Sequence, residues 1–162
     1  MTDLQQHLES IGACPTARDW AGERTPRQAW DEATRADWLL WWAGQLEVEK
    51  ALLVRCACAI ARTVLHLIPA GEDRPRLAIE AAERWCQEPT EENLQEAEEA
   101  EEAAWAASAE AAAWAAAAGA RAAAAAAWEA ARAAWEAARA AQQEHCRIVR
   151  DIIPFAEIER RM

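Results

Sequence analysis
The chain has 162 residues, 28 acidic and 17 basic, with a formal charge of −11 and a pI near 4.8, a size that suits one domain. Such a charge is repelled by nucleic-acid phosphate and anionic lipid, so direct nucleic-acid or membrane-surface binding is a poor reading. The apolar fraction is 53%, mostly Ala, and ten Trp with one Phe and no Tyr supply the bulk of any core.

Residues 1–10 have no basic n-region and no apolar h-region, so no signal peptide is read and the expected location is cytoplasmic. Pro15 and Pro26 stand where proline loses no intrahelical donor bond, predicting short helices over 15–22 and 26–34. Asp37 is the predicted N-cap of Trp38-Leu39-Leu40-Trp41-Trp42, a stretch apolar nearly all round and hence the expected core. A long core helix is predicted over 47–68, stopped by Pro69-Ala70-Gly71, and another from Asp73-Arg74-Pro75 to Pro89. Thr90 is the predicted cap of the next helix, with Glu91 and Glu92 in its first turn.

Over 97–141, Ala fills 29 of 45 positions and Trp105, Trp114, Trp128 and Trp135 are the only large apolar residues, so helix is expected. WEAARAA occurs twice, at 128–134 and 135–141, a heptad that puts Trp128 and Trp135 on one stripe and suggests a homodimer. Unbroken, the stretch would outrun a compact domain of this size, so an antiparallel hairpin turning near Gly119 is expected. Residues 144–150 and Ile152-Ile153-Pro154-Phe155 should dock on the core, leaving 157–162 loosely ordered. The predicted fold is all-α, a single helical domain over 1–162. It comprises a Trp-rich bundle (1–88), long antiparallel Ala/Trp helices (89–143) and a C-terminal docking segment (144–162).

His7, His66 and His145 with Cys14, Cys56, Cys58, Cys86 and Cys146 form no H-x-x-x-H or C-x-x-C pair, so reduced thiols, no metal and no cofactor are expected. No nucleophile and base stand out, and the expectation is a binding protein rather than an enzyme. Arg55, Cys58, Arg62 and His66 recur at steps of three and four, a basic stripe. Of 17 cations only Lys50 is Lys, and Arg suits bidentate contact with phosphate or carboxylate. Two readings follow: Arg55, Arg62 and His66 hold an anionic nucleotide signal whose base stacks on Trp38 or Trp42, or the arginines neutralise internal acids such as Asp37 or Glu80. Glu91, Glu92, Glu98, Glu99, Glu101 and Glu102 lie in a run with no cation between Arg84 and Arg121. That run reads either as a surface for a basic protein partner or as a solvated helix face.

Gly12-Ala13-Cys14, Ala17, Trp20, Ala29-Trp30, Ala36-Asp37-Trp38-Leu39-Leu40-Trp41, Cys58, Ala61-Arg62, Leu65-His66 and Pro69 form a pattern. It continues through Arg74-Pro75-Arg76, Ala81-Ala82, Trp85, the Ala/Trp stretch, Val149-Arg150 and Ile153-Pro154. In these residues the chain resembles an immunity-protein family of bacteria and their phages, assigned to neutralising toxins of polymorphic toxin systems. The resemblance implies a helical, non-enzymatic inhibitor of a toxin, and phage carriage widens the targets to defence effectors and their nucleotide signals.

Overall fold
The computed structural model describes residues 2–68, 70–100, 102–103 and 127–162, with the side chains of 127–137 outside the description. Among the described residues the regular structure is helical, without a strand. The elements are α1 (Asp3–Ser10), α2 (Pro15–Ala21), α3 (Pro26–Glu32), α4 (Ala36–Gln45), α5 (Lys50–Arg62), a 3₁₀ turn (Leu65–Leu67) and α6 (Arg74–Gln87). They are followed by α7 (91–100), α8 (Ala127–Ile152) and α9 (Phe155–Glu159). Two compact units result, 1–53 with 141–162 and 54–140, their boundaries falling inside α5 and α8. None of the described helices is long and apolar enough to cross a membrane.

In the first unit the helix starts follow local chemistry. Thr2 accepts from the Gln5 amide at 3.3 Å while Gln5 Oε1 accepts from the Thr2 amide at 3.0 Å. Thr25 and Gln28 repeat this reciprocal cap at α3, at 3.2 and 2.9 Å. Pro15 and Pro26 take the first helical positions, as their lack of an N–H predicts.

The ends of α1 and α4 share one closing device. The Ala13 amide donates to the Leu8 carbonyl at 2.8 Å and Gly12 to Glu9 at 3.0 Å; Val48 donates to Ala43 and Glu47 to Gly44, both at 3.1 Å. This pairing needs a left-handed residue, supplied by Gly12 at φ +81° and by Glu47 at φ +54°. Trp30, Leu39, Val149, Ile153 and Ile158 are fully buried at the centre of this unit.

Two expectations are corrected here. The predicted N-cap Asp37 lies inside α4, which begins at Ala36 after Arg35, and Arg35 makes no side-chain cap bond. The Ala36 amide, a first-turn donor without an intrahelical partner, donates instead to Gln142 Oε1 from α8, at 3.3 Å. The docked part of the chain runs further than expected, because α9 buries Ile158 as well as Phe155, while residues 159–162 are exposed.

In the second unit, α6 begins after Asp73 with Pro75 in its first turn, as expected. Thr90 Oγ1 accepts from the Asn93 amide at 3.2 Å and caps α7. The helix predicted over 47–68 is shorter at both ends. Its start waits for the turn at Glu47, and its end comes at Arg62, where the Thr63 hydroxyl donates to the Ile60 carbonyl at 2.7 Å. The Thr63 and Val64 amides then tighten to the i−3 carbonyls of Ile60 and Ala61, at 3.0 and 3.2 Å. Ile68 takes the extended backbone, ψ 135°, that a residue before proline favours.

The Gly119 turn, the Ala hairpin, Trp105, Trp114 and Glu101 lie outside the described residues. Trp128 and Trp135 sit on the helical backbone of α8, but their side chains, and with them the heptad stripe, also lie outside.

Candidate functional site
The first unit carries a cleft of about 480 Å³, within the range of small-molecule sites. Its walls come from α1 to α4. Trp20 on α2 and Trp38, Trp41 and Trp42 on α4 share the lining with the small side chains Ala17 and Ala21 of α2, Ala29 of α3 and Ala33 just beyond it. Rings as large as indole leave room when their neighbours are Ala, and the cleft is the volume that this mismatch leaves open.

The indole walls are braced. Trp20 and Trp38 meet with ring centroids 5.7 Å apart at 55°, and Trp30 and Trp42 behind them meet at 6.0 Å and 59°, the tilted arrangement aromatic pairs prefer. Arg24 lies over Trp20 at 4.5 Å and Arg35 over Trp38 at 4.8 Å. Each guanidinium is held in turn. Arg24 donates to Glu32 at 2.9 Å and to the Trp20 carbonyl at 2.6 Å, and Arg35 donates to both Asp37 oxygens, at 3.1 and 2.5 Å. The Arg35 bonds hold the Asp37 carboxyl below its ordinary range, and Asp37 in return raises Arg35.

Polar groups on the lining are few. Arg35 and Asp37 are its charged side chains; Thr16 and Cys14 add a hydroxyl and an exposed free thiol. The indole N–H groups of Trp30 and Trp42 are buried and find no acceptor among the described residues.

Of the residues singled out in the sequence, Asp37, Trp38 and Trp42 line this cleft. Arg55, Arg62 and His66 belong to the second unit and are not among its lining residues. The expected basic stripe is also broken, because α5 ends at Arg62 and His66 lies in the 3₁₀ turn. Arg62 is paired, as the neutralising reading foresaw, but with Glu83 rather than Asp37 or Glu80: two parallel bonds at 2.7 and 2.5 Å lower the Glu83 carboxyl and raise Arg62. Glu80 pairs with Arg76 at 2.8 Å.

On α7, Glu91, Glu92, Glu98 and Glu99 are exposed, as is Glu102 beyond it. The run is not wholly without a cation, since Arg84 reaches back from α6 to Glu96. Cys56 and Cys58 are buried, which pushes both thiols up to about 11, and the Cys58 thiol lies 3.9 Å from the Ile79 carbonyl. None of the five cysteines forms a disulfide among the described residues. Among the described residues no three His, Cys, Asp or Glu side chains cluster as metal ligands would.

Trp20, Arg35 and Cys14 are among the lining residues to which the sequence reading gave no role at a site. A spacing signal existed for Arg35, since Trp38 follows it by three positions across the first turn of α4; Arg24 lies beyond the end of α2, so its place over Trp20 follows from the turn at Gly22 and not from helical spacing. No family model matches the chain, and neither a curated protein nor a solved structure shows significant similarity to it.

Proposed function
We propose that this protein is a non-enzymatic binding protein that acts by sequestration, with the Trp-lined cleft of α1–α4 as the seat of a small planar ligand. The observation that carries the reading is the bracing of the walls. Trp20 and Trp38 are fixed by each other and by Arg24 and Arg35, so little side-chain freedom is lost when a planar ligand packs against this pair from the cleft. Trp38 and Trp42, the stacking residues of the nucleotide reading, line this cleft, whereas Arg55, Arg62 and His66, its phosphate residues, are not among the lining residues.

Cys14 supplies the test. It is the exposed cysteine on the cleft, whereas Cys56, Cys58 and Cys146 are buried. Indole added to the full chain should slow modification of Cys14 by a thiol reagent in a saturable way. A modification rate that indole leaves unchanged up to millimolar concentration would count against the cleft as a ligand site.

A second reading, immunity-type inhibition of a basic toxin or defence effector in the cytoplasm, is supported by the exposed carboxylates of α7. Glu91, Glu92, Glu98 and Glu99 contribute little burial, so their charge is available for steering a partner over a Debye length of about 8 Å. Co-expression should then rescue cells from such an effector, and association of the purified pair should slow with salt and with Glu98→Gln, Glu99→Gln and Glu102→Gln combined. Rescue that survives this triple change with unaltered association rates would leave the run as a solvated face.

A further inference from the structure
The class of ligand can be narrowed from the charges already committed at the cleft, an inference that rests on the cleft being the ligand seat. Trp20 and Trp38 each carry a guanidinium on a ring face, at 4.5 and 4.8 Å. A ligand cation on the same ring would share that quadrupole and be repelled by the resident charge. Asp37, the carboxylate on the lining, has both oxygens engaged by Arg35. At Trp20 and Trp38 an organic cation would therefore compete with a resident guanidinium, and the lining offers it no uncommitted counterion.

An anion is no better served. Arg35 is neutralised by Asp37, and the unit that holds the cleft has 13 acidic against 9 basic side chains. A neutral ligand remains. The guanidinium also sets a hydrogen-bond requirement: Arg35 commits Nε and Nη2 to Asp37, while its Nη1 amino group makes no hydrogen bond among the described residues. The Arg35 side chain is half exposed and lines the cleft, and guanidinium has no acceptor of its own, so what it can recruit is an acceptor.

We propose that the cleft binds a neutral, planar, fused-ring heteroaromatic molecule whose ring nitrogen or carbonyl accepts from Arg35 Nη1 while its rings lie against the cleft tryptophans. An unphosphorylated purine-like or azaindole-like ring system meets this description; a nucleotide's phosphate does not.

Calorimetric titration of the full chain with indole, azaindole and indole-carboxylate tests it. Indole and azaindole are alike in size and differ by one ring nitrogen acceptor, whereas indole-carboxylate adds an anion. Azaindole should bind about tenfold more tightly than indole, as a hydrogen bond to a charged donor provides, and indole-carboxylate more weakly than either. Arg35→Met, which keeps an apolar stem over Trp38, should shrink the azaindole preference to within about twofold. Equal binding of indole and azaindole by the unmodified chain, tighter binding of indole-carboxylate, or a preference that survives Arg35→Met would each overturn the proposal while leaving the cleft as a ligand seat. Failure of all three to bind or to protect Cys14 would overturn the cleft reading as well.

Discussion

Arg150 Nε donates to the main-chain carbonyl of Trp30 at 2.9 Å, joining positions 120 residues apart, and Nη2 of the same side chain donates to the Ala33 carbonyl at 2.5 Å. Both acceptors belong to the last turn of α3 and its exit, where helix carbonyls lack intrahelical partners and a positive charge is favoured. α8 therefore closes a helix that sequence places at the other end of the chain, and α3 and its exit contribute Ala29 and Ala33 to the cleft wall.

Arg150→Met should lower unfolding free energy by about 2 kcal/mol, because two carbonyls lose a charged donor in a half-buried setting. Urea denaturation measures it. Arg150→Lys should recover less than half of the loss, since one ammonium cannot span both carbonyls as the guanidinium fork does. A loss below about 0.5 kcal/mol for Arg150→Met would show that water serves these carbonyls equally well.

The matched closures of α1 and α4 make opposite predictions. Glu47 holds a left-handed backbone with a side chain attached, so Glu47→Gly should stabilise the protein by about 0.5–1 kcal/mol. Gly12→Ala should destabilise it by about 1 kcal/mol through backbone strain alone, because a Cβ there meets nothing within 4 Å. Thermal melts of the two variants should move in opposite directions.

Alkaline pH should act mainly through buried thiols. Burial pushes Cys56 and Cys58 up to about 11 and raises Cys86 and Cys146 as well. A thiol whose folded value exceeds its unfolded one adds stability that is full below the unfolded value, near pH 8.5. That stability is lost as pH rises through the folded value. The chain has no Tyr and Lys50 is its single Lys, so few other groups titrate in this window. The melting temperature should fall between about pH 8.5 and pH 11, and Cys56→Ala with Cys58→Ala, although less stable at neutral pH, should show a shallower fall. A melting temperature flat across the window would contradict the burial of these thiols.

Substitutions should separate the cleft from the former basic stripe. Arg62→Ala should leave the melting temperature nearly unchanged, since the Arg62–Glu83 pair is partly exposed, with side-chain exposures of 43% and 32%. With His66→Ala it should leave binding of planar probes within about twofold, whereas Trp38→Ala should weaken it more than about tenfold by removing a stacking surface. Comparable losses at Arg62 and Trp38 would restore the Arg/His stripe as part of the site.

What the sequence determined by itself was local: the all-α class, proline at the starts of α2 and α3, Thr90 ahead of α7, and a helix over Trp38–Trp42. Each depends on groups within about a turn of one another, and their spacing is written in the chain. The tertiary structure decided the rest. Gln142 replaces the expected Asp37 cap, Arg150 closes α3, and Ile158 is buried within a terminus expected to be loose. Helical spacing extends through Cys58, Arg62 and His66, but a Thr63 hydroxyl and an i−3 turn end the helix before His66, and Arg62 turns to Glu83 instead. The cleft itself is an empty volume between Trp20, Trp38 and the alanines of α2 and α3, and an empty volume has no residue of its own to announce it in sequence. It exists because through-space packing sets large rings against side chains too small to fill the gap.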